Sequence, residues 1–191
     1  PMLRQLVTIG APSVLEQGFI QLAFLGFFAI VGQYGTAAYA AYGIGISLVS
    51  FSIVIGFGFS IAAATLVGQQ IGAGDPDMAT AAGWRGMRMA IAAMSFFSVV
   101  LALYAQELAA FMIQDPETRR LTVLFIYLIA AVQPVMAMEI TLSGALRGAG
   151  DTRFPLIATI CGILFGRLLP ALLILTSGLS VTWIFAVMLL D

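Results

Sequence analysis

Residues 42–68 read YGIGISLVSFSIVIGFGFSIAAATLVG, and this run decides the fold. It lies within a longer stretch, 17–74, that contains no charged side chain. A helix needs about 20 apolar residues to cross the hydrocarbon core of a bilayer. The charge-free stretch is therefore long enough for two crossings. A transmembrane β-barrel would show segments of about 10 residues with alternating polarity. These runs are longer and do not alternate, so helices are expected.

The whole chain repeats that composition. It is 61% hydrophobic and 9% charged, against about 25% charged residues in soluble domains. Mean hydropathy is +1.07. Too few charges exist to cover a water-facing surface, so an integral membrane protein is expected. The net charge of −1 leaves no basic face for nucleic acid. All eight cations are arginine, there is no histidine, and the single cysteine, Cys161, sits in an apolar run where packing is the expected role. No His or Cys cluster suggests a transition-metal site or a hydrolytic triad. No enzyme activity and no cofactor are expected.

Six apolar runs can be marked, at about 12–33, 42–68, 87–106, 121–143, 154–176 and 179–191. The first is entered through Pro12, a residue tolerated in a helix's first turn. The last stops at Asp191 inside an apolar run, and the chain opens at Pro1 without an initiator methionine. The expectation is an all-α, polytopic bundle with five full transmembrane helices and a truncated sixth, forming one lobe of a longer polypeptide. Crossing in turn, the runs place Arg4, Arg85, Arg88, Arg147 and Arg153 on one side. The opposite side holds Arg119 and Arg120, offset by Glu107, Asp115 and Glu117. The positive-inside rule then puts the N-terminus in the cytoplasm of a multi-pass inner-membrane protein.

The tetrad Gly-Ala-Gly-Asp occurs twice, at 72–75 and 148–151, each between apolar runs. A glycine just past a helix end takes the left-handed conformation that closes it. Asp75 and Asp151 then suit the N-cap of the next helix, with Pro76 at the first helical position. On this reading the tetrads are tight turns, not phosphate loops.

The second tetrad lies in GALRGAGDTRFP, residues 144–155, which resembles the signature of the MATE (multidrug and toxic compound extrusion) transporters of the flippase superfamily. The stretch VGQQIGAGDPDMA at 67–79 and PSVLEQ at 12–17 support the resemblance. It makes Arg147, Gly148, Gly150, Asp151, Thr152, Arg153 and Pro155 a family signature loop. It implies two six-helix lobes, of which this chain would be the carboxyl-terminal one. The missing amino-terminal lobe would be its main partner, beside membrane lipid and a small organic substrate.

Three ionisable residues fall inside the apolar runs: Glu16, Glu139 and Arg167. Such groups cost several kcal/mol in a membrane and are functional candidates by default. At about 1.5 Å of rise per residue, Glu16 lies roughly 18 Å beyond Arg4, Glu139 roughly 12 Å before Arg147, and Arg167 roughly 21 Å beyond Arg153. The three are thus expected at comparable depth, well below the headgroups. Two carboxylates brought together in low dielectric favour a proton or a cation between them. The resemblance implies the same: acidic residues on these two helices would bind the coupling Na⁺ or H⁺. The alternative is a structural pair of Glu16 or Glu139 with Arg167.

Gln17 and Gln21 share a helix face, and Gln133 precedes Pro134, so all three are candidate supporting polar groups. Pro134 is a candidate hinge or kink, and it releases a carbonyl that could bind a cation. Met87, Met89, Met94, Met136 and Met138, like Phe24, Phe27 and Phe28, either line a substrate cavity or pack in the core. The expected function is Na⁺- or H⁺-coupled antiport exporting organic, often cationic, drugs. The alternatives are a lipid-linked sugar flippase, whose cavity would carry more cationic groups, and a non-transporting membrane fragment.

Overall fold

The computed structural model describes residues 2–177 and 180–187. Parts of the sixth run (Leu179 and 188–191) and the side chains of Arg4 and Pro12 lie outside the described residues. Among the described residues the chain is helical throughout. The elements are α1 (Met2–Gly32), α2 (Thr36–Gly72), α3 (Pro76–Leu103), α4 (Ala105–Met112), α5 (Pro116–Gly148), α6 (Arg153–Cys161), a π-helical segment (Gly162–Leu168), α7 (Leu169–Thr176) and α8 (Val181–Val187). Five spans are long and apolar enough to cross a membrane: Val14–Gly32, Thr36–Gly72, Pro76–Leu103, Pro116–Gly148 and Arg153–Thr176.

The helices outrun the apolar runs because caps, not hydropathy, stop them. Asp75 accepts from the Met78 N–H at 2.9 Å. Asp115 accepts from the Thr118 N–H at 2.8 Å and its hydroxyl at 2.6 Å. Each is followed by a proline at the first helical position, where no N–H is needed. The Thr118 hydroxyl and then its amide hold the Asp115 carboxyl below its ordinary value of 3.8.

The two Gly-Ala-Gly-Asp copies build the same turn. Gly74 and Gly150 stand at φ 79° and 92°, the left-handed region that favours glycine. The Asp75 N–H returns to the Gln70 carbonyl and the Gly74 N–H to that of Ile71. The Asp151 and Gly150 N–H groups return likewise to Leu146 and Arg147. This is the Schellman closure of a helix. The Asp151 carboxylate then accepts from the Arg153 and Phe154 amides, starting α6. A repeated sequence thus yields a repeated helix–turn–helix.

Helices α2, α3 and α5 pack on one another as a central group. A second group forms around α1, which lies along α6, the π segment and α7. Glycine makes the α2–α5 seam close. A Cβ on Gly144 would collide with Ser60, and one on Gly148 with the Ala64 backbone. Gly68 also faces the Gly148 carbonyl, which puts both tetrad turns at one end of the bundle. Close backbone approach through small residues is how helices associate where lipid removes the hydrophobic drive. Near the other end a ring cluster of Phe27, Tyr42, Phe125 and Phe185 is fully buried. Large apolar side chains such as Phe96 and Leu25 cover the outside, which suits a lipid solvent.

Two sequence expectations change here. Cys161 is exposed rather than packed. The last transmembrane span is not one α-helix. Pro170 has no N–H to offer the Gly166 carbonyl, and the helix before it widens to a π turn in which the Leu169 N–H reaches back five residues to Leu164.

Candidate functional site

Helices α1, α2, α5 and α6 and the π segment enclose a cleft of about 460 Å³. Its apolar walls carry a few polar groups: Glu16, Gln17 and Gln21 from α1, Glu139 and Arg147 from α5, and Arg167 from the π segment. Residues expected to act together therefore do share one cavity, although they come from both helix groups. Gln133 and Pro134 do not line it.

Glu16 is 2% exposed. Its Oε1 meets Arg147 Nη2 at 2.6 Å and accepts from the Thr159 hydroxyl at 3.3 Å. Its Oε2 is buried without a hydrogen-bond partner among the described residues. The ion-pair partner of Glu16 is thus Arg147, not Arg167. The sequence reading placed Arg147 in a loop. In the fold it belongs to the last turn of α5, and the Schellman turn follows it. A helical Arg147 projects sideways onto α1 instead of into the aqueous phase.

Arg167 is 6% exposed and stacks on two rings, 4.8 Å from the centre of Phe24 and 4.9 Å from that of Phe27. A guanidinium over aromatic faces gains a cation–π attraction that strengthens when water is excluded. The π turn gives this residue its inward direction. Nothing in the local sequence except Pro170 hints at it.

The expectation of a single depth is also corrected. The bond to Arg147 holds Glu16 level with the last turn of α5. Phe24, which contacts Arg167, is about 12 Å farther along α1, and Glu139 is about 12 Å before Arg147 along α5. The charges form two tiers, with Glu16 and Arg147 near the tetrad turns and Glu139 and Arg167 deeper. Of the five methionines, Met87 and Met94 are buried core, Met89 and Met138 are exposed, and Met136 lines the cleft. Phe24 lines the cleft too, whereas Phe27 is core.

Behind the cleft, Pro134 leaves the Ala130 carbonyl without its helical partner. The Ser98 hydroxyl of α3 donates to that carbonyl at 2.5 Å. Gln133, fully buried, donates through Nε2 to the Ser52 hydroxyl at 2.5 Å. Both groups tie the central helices together.

A bundle with five membrane-spanning lengths of helix defines a polytopic membrane protein. The fold matches the solved structure of a MOP superfamily transporter from Pyrococcus furiosus. The TM-score is 0.86 at 18% identity, over 97% of this chain and 41% of that one. The MatE family model matches residues 12–172, and the chain belongs to the MatE family. It is 29% identical over 184 residues to the probable multidrug resistance protein NorM of Thermotoga maritima, covering 95% of this chain and 40% of that protein. It is 34% identical over 167 residues to the multidrug resistance protein NorM of Burkholderia vietnamiensis, covering 85% of this chain and 36% of the relative. The chain thus spans about two fifths of the length of these relatives.

Proposed function

We propose that this chain is the carboxyl-terminal lobe of a cation-coupled antiporter that exports organic compounds across the inner membrane. Inward flow of Na⁺ or H⁺ drives export of organic, often cationic, drugs. The observation that carries this reading is the buried Glu16 carboxylate, one oxygen of which has no hydrogen-bond partner among the described residues, in a cleft that also contains Glu139. A buried carboxylate has different interactions with its surroundings when charged and when neutralised. A ligand shifts a conformational equilibrium only through such a difference between states. Rocking of two lobes around a central site is the general scheme of alternating access.

On this reading Glu16 and Glu139 take the coupling cation, and Gln17 and Gln21 supply neutral ligands beside them. Arg167 and its rings form the deeper wall, and Gln133 and Pro134 stiffen α5 behind it. The signature turn from Arg147 to Pro155, with both tetrads, faces the cytoplasm. No resident cofactor takes part. Among the described residues, the two guanidiniums lining the cleft are matched by two carboxylates, which favours this reading over a lipid-linked sugar flippase.

The test is cation-driven drug efflux by the full polypeptide in proteoliposomes, with Glu16→Gln and Glu139→Gln. Loss of coupling with retained folding supports the reading. Undiminished coupling in both variants overturns it, and absence of any efflux by the unaltered protein would favour a non-transporting role.

A further inference from the structure

The ion pair at Glu16 joins, at the tetrad end, two helix groups that pack on each other through the ring cluster at the other end. Arg147 belongs to the end of α5, which Gly144 and Gly148 clamp onto Ser60 and Ala64 of α2. Its backbone carbonyl is fixed as well, by the Gly150 N–H of the turn. Glu16 and Thr159 belong to α1 and α6, in the other helix group. The Arg147–Glu16–Thr159 contact therefore spans the cleft from one group to the other. A carboxylate that is 2% exposed needs a positive charge nearby when ionised. Arg147, within 2.6 Å, supplies it. Among the described residues only Oε1 is engaged, which leaves the buried Oε2 open to a second cation.

We infer that Arg147 is the resident counter-cation of Glu16 and that the coupling cation competes with it. The Arg147–Glu16 pair is a latch between the α1–α6 group and the α2–α3–α5 group. This rests on the proposed coupling role of Glu16 and adds the group that opposes it. A proton or Na⁺ on Glu16 neutralises the charge that holds Arg147, and the two groups are then free to shift at this end, about the ring cluster that joins them at the other. Linkage makes the relation reciprocal. If the cation weakens the latch, the latch weakens cation binding by the same factor. Among the described residues, the other charged groups lining the cleft are Glu139 of α5 and Arg167 of the π segment. The α2 and α6 walls contribute none. Arg147 is thus a positioning residue whose charge sets the cation affinity of Glu16.

The test uses the full polypeptide in proteoliposomes. Drug efflux is titrated with Na⁺ at fixed pH in one arm, and with protons in Na⁺-free buffer in the other. Arg147→Gln should lower the half-saturating cation concentration about tenfold, within the usual range of coupling factors. In the proton arm this moves the midpoint to higher pH. Arg147→Lys, which keeps the charge without the planar fork, should fall between Arg147→Gln and the unaltered protein. A folded Arg147→Gln with unchanged midpoints in both arms overturns the latch, provided that Glu16→Gln has lost its cation dependence. Glu16→Gln with a normal cation curve overturns the coupling role itself, and the latch with it. If Arg147→Gln does not fold, Arg147→Met, which keeps an apolar stem and removes the charge, decides: a midpoint equal to that of the unaltered protein overturns the inference.

Discussion

The hydroxyl of Ser98 on α3 donates to the carbonyl of Ala130 on α5, the one that Pro134 leaves without a helical partner. A proline inside a helix costs roughly 3 kcal/mol or more, partly through this lost bond. In lipid no water can take the place of the missing donor. Ser98 takes it, so the carbonyl that Pro134 releases joins α3 to α5. Ser98→Ala should lower stability by about 1–2 kcal/mol. Thermal unfolding in detergent checks this, with Ser95→Ala, one turn away on α3, as the control for a generic serine loss.

The seam between α2 and α5 has no room for a side chain at Gly144 or Gly148. Gly148→Ala sets a methyl against the Ala64 backbone, which cannot move aside as a side chain would. The loss should be about 1–3 kcal/mol, as for overpacked cores. Gly58→Ala is the contrast, since open space surrounds that position. It should be neutral or slightly stabilising in the same thermal assay.

Glu16 and Arg147 should be coupled in stability as well as in transport. Removing one member of a partly buried pair is destabilising, because the other charge is left uncompensated. Glu16→Gln should therefore be more destabilising than Glu16→Gln combined with Arg147→Gln. A double-mutant cycle on unfolding in detergent measures the difference. Strict additivity would show that the two side chains do not interact.

The cap of α5 carries a pH signature. Asp115 is held below its ordinary value by Thr118. A depressed carboxyl contributes stability that is present above its unfolded value and lost as pH falls through the folded one. Thr118→Val removes the hydroxyl donor and should bring the Asp115 titration, followed by NMR, back toward 3.8. Asp115→Ala should lower stability, as for other lost N-caps, and the loss should shrink in acid.

Hydropathy alone determined much of this protein. The charge-free stretch 17–74 and its counterparts dictate membrane helices, since lipid leaves backbone groups no other partner. The tetrads at 72–75 and 148–151 dictate their turns through local chemistry: glycine for positive φ, aspartate for the next cap. The candidate residues Glu16, Glu139 and Arg167 were legible because an ionisable group in an apolar run is conspicuous in one dimension.

What the sequence did not determine is which charges meet. Arg147 looked like a loop cation because it adjoins Gly148. Whether it points at water or at α1 depends on how far α5 continues and on how closely Gly144 and Gly148 bring it to α2. The spacing of those two glycines was a legible sign of that seam. The π turn that aims Arg167 at Phe24 and Phe27 depends on where the helix bonds slip to accommodate Pro170. The partner of the Ala130 carbonyl lies 32 residues away, on another helix. Burial and helix propensity are properties of segments and can be read along the chain. Pairing between segments depends on their rotation and depth against one another, and only the packed bundle decided those.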